Sequence, residues 1–201
     1  SRMSANSTAP AEKATSALWL VPLLCGLAVM FDGYDLIVYG TVVPALLAYE
    51  PWALSAEQVG VIGSYAIIGM LFGALLAGSV TDIIGRRKAL LICVSWFSLF
   101  TALCGIAPSP ELFSIFRFLA GIGLGGLIPV ATALTLEYAP GHRRNITYLA
   151  MMATYNVGGL IAAGLAIVLI PAFGWRVMFL IALVPFLVVV PMLYPTVSSP
   201  L

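Results

Sequence analysis

Asp32 and Asp35 lie three residues apart in Phe31-Asp32-Gly33-Tyr34-Asp35-Leu36, in the middle of an otherwise apolar stretch. On a helix they share a face with Ala28 and Tyr39. An acid among apolar side chains is costly unless it faces a cavity or a cation, and such acids mark proton relays and substrate paths. Tyr34, between the two acids, joins them as a candidate for the same path. The competing reading is a hydrated kink near one interface, made tolerable by Gly33. Arg117 is a lone cation about one and a half turns into the apolar run that begins at Leu112. It either snorkels to the near interface, where Glu111 also sits, or pairs with Asp32 or Asp35.

Other chemistries find little support. Gly121-Ile122-Gly123-Leu124-Gly125-Gly126 satisfies G-x-G-x-x-G. No strand precedes it, however, and its glycines fall within an apolar run instead of a polar turn. Gly121, Gly123 and Gly125 are better read as a surface that lets another helix approach closely. Gly69 with Gly73, and Gly158 with Gly159, make the same kind of surface. His142 is single and flanked by arginines. No cluster has metal-ligand spacing and no catalytic constellation is present, so neither an enzyme nor a metal site is expected. Cys25, Cys93 and Cys104 all fall in apolar runs, where packing is their expected role. The sequon Asn145-Ile146-Thr147 lies in a loop expected on the cytoplasmic side, where it would not be glycosylated.

Membrane-spanning helices must position these residues. Of 201 residues, 62% are hydrophobic and 8% charged, with a mean hydropathy of +1.09. A soluble domain carries about 25% charged residues, so an ordinary soluble enzyme is excluded. A net charge of +1 offers no basic face for nucleic acid. A span takes about 20 apolar residues, and six runs qualify or nearly so: 17–48, 59–84, 89–107, 112–139, 146–173 and 177–193. Residues 1–16 read as a disordered cytoplasmic tail with Met3 as the native start, 17–195 as a six-helix transmembrane bundle, and 196–201 as a cytoplasmic tail or truncated linker. No signal-peptide cleavage site or lipidation motif is evident.

Arg2, Lys13, Arg86, Arg87, Lys88, Arg143 and Arg144 fall on one side of these runs, and only Arg176 lies in the opposite loops. The positive-inside bias then makes both termini cytoplasmic. A re-entrant turn at residues 32–35 would put Arg2 and Lys13 on the wrong face. It would also leave two pieces of about 15 residues, too short to span.

Gly78 to Lys88 packs glycines, an acid and a basic cluster onto the end of the second run. A positive-inside anchor accounts for the arginines but not for Asp82. The stretch resembles the signature between helices two and three of the major facilitator superfamily, G-x-x-x-D-(R/K)-x-G-R-(R/K), with Ile83 where a basic residue is usual. Arg117 with Gly121, Gly123 and Gly125 resembles its fourth-helix signature, R-x-x-x-G-x-G. Glu137-Tyr138-Ala139-Pro140 with Arg143 and Arg144 is similar to its close of helix four, and Gly174-Trp175-Arg176 to its start of helix six. Within the superfamily, the D-G-Y-D segment followed by Val38-Tyr39-Gly40 and Val43-Pro44 resembles the aromatic acid:proton symporters. These import benzoate, hydroxybenzoate, protocatechuate and related ring carboxylates in bacteria.

The resemblance implies an all-α membrane protein whose six transmembrane helices form the N-terminal half of a major facilitator fold, built from two inverted three-helix repeats. It implies proton-coupled uptake of an aromatic carboxylate across the bacterial inner membrane, with the proton as coupling ion and no other cofactor. Asp32 and Asp35 would be required, and Arg117 would lie in or near the path. Asp82, Arg86 and Glu137, with Gly78, Gly85, Arg87 and Arg143 around them, would form a cytoplasmic gate. The implied partners are the aromatic acid, the bilayer, and a C-terminal six-helix half or a second copy. The residues 195–201 depart from the acidic Pro-Glu-Ser run common after helix six. Alternatives are transport of another organic anion or a sugar, export, or a six-helix half that assembles without transporting alone.

Overall fold

Hydroxyl caps and glycine turns divide the apolar runs into helices. The computed structural model describes the backbone of residues 9–198 and the side-chain surroundings of residues 19–195. Ser55 caps α2 (Ala56–Ile84): its Oγ accepts from Gln58 N at 3.2 Å, while Gln58 Oε1 accepts from Ser55 N at 2.9 Å. This reciprocal box satisfies two orphan donors. Ser109 caps α4 (Pro110–Tyr138), accepting from Leu112 N, with Pro110 in the first turn, where its missing N–H costs nothing. Both helices therefore begin ahead of their apolar runs.

The turn between α2 and α3 (Arg86–Cys104) is a single residue, Gly85, at φ +85°, a backbone region that only glycine enters cheaply. α3 stops at Cys104 instead of continuing to Ala107, because Gly105 N and Ile106 N bond back to Ala102 O and Leu103 O in a tightened last turn. A single 3-10 turn, Gly141–Arg143, leads into α5 (Arg144–Phe173).

α1 (Ala9–Leu47) runs unbroken through Asp32-Gly33-Tyr34-Asp35, so the re-entrant alternative does not hold. Of the tail expected to be disordered over 1–16, residues 9–16 are instead the first turns of this helix. Ala11, Glu12, Lys13 and Ala14 are strong helix formers, and Pro10 sits in the first turn, where it is tolerated. Residues 1–8 lie outside the described residues. The last apolar run is two helices, α6 (Arg176–Leu180) and α7 (Leu183–Ser198). The interruption follows from Pro185, whose ring in a continuous helix would meet the carbonyl of Ile181. α7 extends through 196–198, a stretch that hydropathy alone assigns to the tail, and 199–201 lie outside the described residues.

Among the described residues, six stretches are long and apolar enough to cross a membrane: Trp19–Leu47, Ala56–Ile84, Arg86–Cys104, Pro110–Tyr138, Gly141–Phe173 and Arg176–Pro195. α1 lies along α5 and α2 along α4, α1 meets α4 centrally, and α3 packs on α4 and α7. The first triplet of spans thus uses its first and second helices as the second triplet does, in exchanged pairing, which is the arrangement of two inverted repeats. Two apolar clusters fill the bundle. One, toward the end that carries Arg86, contains Leu24, Leu90, Phe97 and Leu127. The other, toward the opposite end, contains Val38, Leu46, Phe113, Trp175 and Phe179. Asp32 and Asp35 of α1 and Arg117 of α4 lie between them.

Candidate functional site

Asp32 is 13 residues from the start of the Trp19–Leu47 span and 15 from its end, which at 1.5 Å per residue is about 20 Å from either boundary. Asp35 is one turn further on. Both are buried, as is Arg117 on α4. The Arg117 guanidinium faces Asp35 as a fork, with NH1 to Oδ1 at 2.8 Å and NH2 to Oδ2 at 3.4 Å. The snorkelling alternative therefore fails. Removing two such charges from water costs several kcal/mol each, and close parallel contact is what offsets it. Two rings add to the offset: Arg117 Cζ lies 5.6 Å from the Tyr39 ring centre and 5.7 Å from that of Phe179.

Asp32 stands beside this pair without joining it. Its Oδ2 is buried with no hydrogen-bond partner among the described residues, and so is Arg117 Nε. Asp32, Asp35 and Arg117 form the polar side of a cavity of about 160 Å³, with Tyr39, Ala66 and Met70 on its apolar side. An unpaired buried polar atom is expensive, and here two of them belong to residues that line one cavity. Tyr34 does not belong here. It points away from the cavity, and its hydroxyl donates to Met178 O at 2.6 Å, bracing α1 against α6.

Glycines set the depth at which these helices meet. On α4, a Cβ at Gly121 or Gly125 would overlap the carbonyls of Ala66 and Met70 on α2; in return Gly69 and Gly73 of α2 face the carbonyls of Phe118 and Ile122. Gly123 turns the other way, 3.0 Å from Phe97 N of α3 for an added Cβ. Gly33 and Gly158 make the corresponding contact between α1 and α5, against Tyr155 O and Met30 O. Gly33 is therefore a close-approach residue within an unbroken helix. Thr154 Oγ1 donates to Gly26 O at 2.8 Å along the same seam. Small residues at such crossings let backbones touch.

At the basic end, Arg86 NH1 lies 2.9 Å from Glu137 Oε2, with both side chains half exposed, and Arg87 stacks 5.1 Å over Tyr138. Of the remaining residues expected in a gate, Gly85 makes the turn, Asp82 and Arg143 are exposed, and Gly78 faces open space. Asp82 forms no hydrogen bond or ion pair among the described residues. Sequence reasoning passes over a third assembly, at the opposite end. Arg176 NH1 donates to Ala107 O at 2.8 Å, and its Cζ lies 4.7, 5.4 and 5.7 Å over the rings of Trp175, Trp52 and Tyr49. The signal for it is a lone cation on that side, next to loops carrying Tyr49, Trp52 and Trp175.

The family model of the Major Facilitator Superfamily matches residues 25–201. The chain belongs to this superfamily. It is 41% identical over 187 residues to the benzoate transport protein of Acinetobacter baylyi, covering 90% of this chain and 40% of that protein. It is 46% identical over 174 residues to the gentisate transporter of Corynebacterium glutamicum, covering 85% and 39%. Among solved structures, the xylose transporter XylE of E. coli in its inward-open conformation superposes with a TM-score of 0.79 at 24% identity, covering 91% of this chain and 48% of that one. The likeness to XylE is one of fold. This facilitator chain thus spans about two fifths of the curated relatives it matches. Its six spans are those of a multi-pass membrane protein, an N-terminal six-helix half of the fold, and its close relatives are transporters of aromatic acids, not enzymes.

Proposed function

We propose that this chain supplies the proton- and substrate-binding wall of a proton-coupled importer of aromatic carboxylates in the bacterial inner membrane. The observation that carries the reading is the buried Arg117–Asp35 fork beside an unpartnered Asp32. The fork commits two of Arg117's five N–H donors to Asp35 and closes its planar bidentate edge to an incoming carboxylate, while Nε stays without an acceptor. A proton arriving on Asp35 removes that carboxylate's charge and frees the fork for the carboxylate of the substrate. Loss of the proton re-forms the internal pair and expels the anion. Asp32, with no bond to give up, is suited to pass the proton on. Proton and monoanion cross together as a neutral load, and no other cofactor is called for. Benzoate and gentisate, carried by the relatives, are ring carboxylates that match a cation set beside aromatic and apolar side chains.

The basic end is cytoplasmic by the positive-inside bias, and with it both termini. There Arg86 and Glu137 form the part of the cytoplasmic gate that lies within this half, and the exposed Asp82 is available to another element. A single half offers one wall of a path. A second six-helix half, or a second copy, completes it, and the outer apolar faces of α2 and α5, with Ile67, Leu75, Leu160 and Ile167 exposed, meet that partner or lipid.

The test is accumulation of labelled benzoate and gentisate in liposomes, driven by an imposed proton gradient, by the transport-competent polypeptide carrying this chain. Asp35→Asn and Asp32→Asn are expected to abolish accumulation, and a protonophore to do the same. Undiminished accumulation in both variants overturns the site. A competition panel of aliphatic acids and sugars separates the substrate classes. Accumulation by this chain alone would remove the need for a partner.

A further inference from the structure

Four contacts meet at Tyr39. Its ring lies beside the Arg117 guanidinium, 5.6 Å from Cζ. The same ring lines the cavity shared with Asp32 and Asp35. Its hydroxyl donates to the carbonyl of Val59, one turn into α2. Gly63, a turn further, leaves room for it: a Cβ there would stand 2.7 Å from Tyr39 Cε1. Within α2 the Val59 carbonyl is also the helical acceptor of the Gly63 N–H, so the hydroxyl ties into the helix's own ladder.

We propose that Tyr39 is a positioning residue for Arg117: its ring holds the guanidinium when Asp35 lets go, and its hydroxyl passes that exchange to the first turns of α2. The inference rests on the proton–carboxylate exchange proposed above. Once a proton neutralises Asp35, the buried guanidinium has lost its counter-ion, and Nε has no acceptor to begin with. The faces of Tyr39 and Phe179, with the Asp32 carboxyl on the same cavity, are then the compensation within reach. Phe179 is fixed edge-on among Phe113 and Trp175 and has no polar handle. Tyr39 is the ring of the two that is tied to another helix. A guanidinium that shifts from Asp35 toward a substrate slides over this ring, and the ring cannot follow without moving Val59 and the end of α2 opposite the basic cluster.

Two substitutions separate the two duties. Tyr39→Phe keeps the platform and loses the tether; Tyr39→Leu loses both. Measured by proton-driven benzoate uptake in liposomes with the transport-competent polypeptide, Tyr39→Phe is expected to hold KM within about twofold and lower the maximal rate by up to about tenfold, the scale of one lost hydrogen bond. Tyr39→Leu is expected to raise KM by roughly tenfold as well, because the unpaired cation has lost its platform. Thermal unfolding of each purified variant checks that folded protein is compared with folded protein. Unchanged kinetics in both variants overturns the proposal. So does a loss of rate in Tyr39→Leu that matches the loss of folded protein at constant KM, which is the mark of a purely structural residue. Asp35→Asn in the same preparation tells the two levels apart. If it keeps coupled uptake, the exchange itself fails; if it abolishes uptake while Tyr39 is silent, only the role of Tyr39 fails.

Discussion

Two guanidinium–carboxylate pairs of nearly equal length sit in opposite surroundings in this bundle. Arg117 and Asp35 meet at 2.8 Å with side chains 3% and 6% exposed, and Arg86 and Glu137 meet at 2.9 Å with side chains 50% and 51% exposed. Distance does not set what either is worth. At the basic end water solvates both partners whether or not they touch, so the contact adds about 0–1 kcal/mol. In the interior each ion depends on the other, on the second contact of the fork and on two rings. Breaking such a pair by removing one partner costs about 3–5 kcal/mol. A pair that water can replace makes a latch that opens freely. On the mechanism proposed above, a pair that only a proton or another anion can replace acts as a switch whose state depends on its ligands.

The sharpest way to break this comparison is to remove one partner from each pair. Arg117→Gln is expected to destabilise the folded protein by about 3–5 kcal/mol, because Asp35 stays behind as a buried unpaired charge. The double variant Asp35→Asn with Arg117→Gln is expected to recover much of that loss, since two neutral polar groups in the same space no longer carry the desolvation of an ion. Arg117→Lys keeps the charge but not the planar fork and falls between. Denaturant or thermal unfolding of the purified protein in detergent reads all three. An Arg117→Gln protein as stable as the double variant would mean that Asp35 does not need its partner.

The glycine seam offers a second, smaller break confined to the interior. A Cβ at Gly158 would overlap the Met30 carbonyl and stand 2.9 Å from Tyr34 N, at the level of the two acids. Gly158→Ala is expected to push α5 off α1 and cost about 1–3 kcal/mol, the usual scale of overpacking. On the same helix Gly164 has nothing within 4 Å of an added Cβ, so Gly164→Ala is expected to be neutral or to gain up to about 1 kcal/mol in helix propensity. The same unfolding measurement compares them, and equal losses at the two positions would deny that the seam is tight where the acids lie.

Charge placement along the chain brings most of the site into view. Ionised groups in an apolar run are rare enough that Asp32, Asp35 and Arg117 stand out by type alone. Whether Arg117 reaches the interface or an aspartate depends on depth and on which helix faces which, and one-dimensional spacing contains neither. Adjacency to the acids suggests Tyr34, yet residues next to each other on a helix point about 100° apart. Tyr39, four residues beyond Asp35 on the same face, is the tyrosine that reaches the cavity. A glycine between two acids looks like a local kink; the reason for Gly33 is instead the α5 backbone, 122 positions away at Tyr155. The break in the sixth span is legible in Pro185 but masked by a hydropathy that stays high across it. The six spans and their order, by contrast, follow from length, composition and turn residues that act locally.

The smallest effect is expected at the basic end, and it is the one that gives the comparison its contrast. Glu137→Gln and Arg86→Gln should each shift stability by no more than about 1 kcal/mol, and the reversed pair, Arg86→Glu with Glu137→Arg, should restore whatever coupling the native pair has. Salt tells the two environments apart more finely than the mutations do. Ions screen exposed charges over about 10 Å at 0.1 M and about 3 Å at 1 M, so the coupling energy of the Arg86–Glu137 double-mutant cycle should shrink toward zero as salt rises. The corresponding cycle at Arg117–Asp35, closed to solvent ions, should hold its value over the same range. Equal salt dependence of the two cycles would place both pairs within reach of water, and the interior pair would then have no claim to act as a switch.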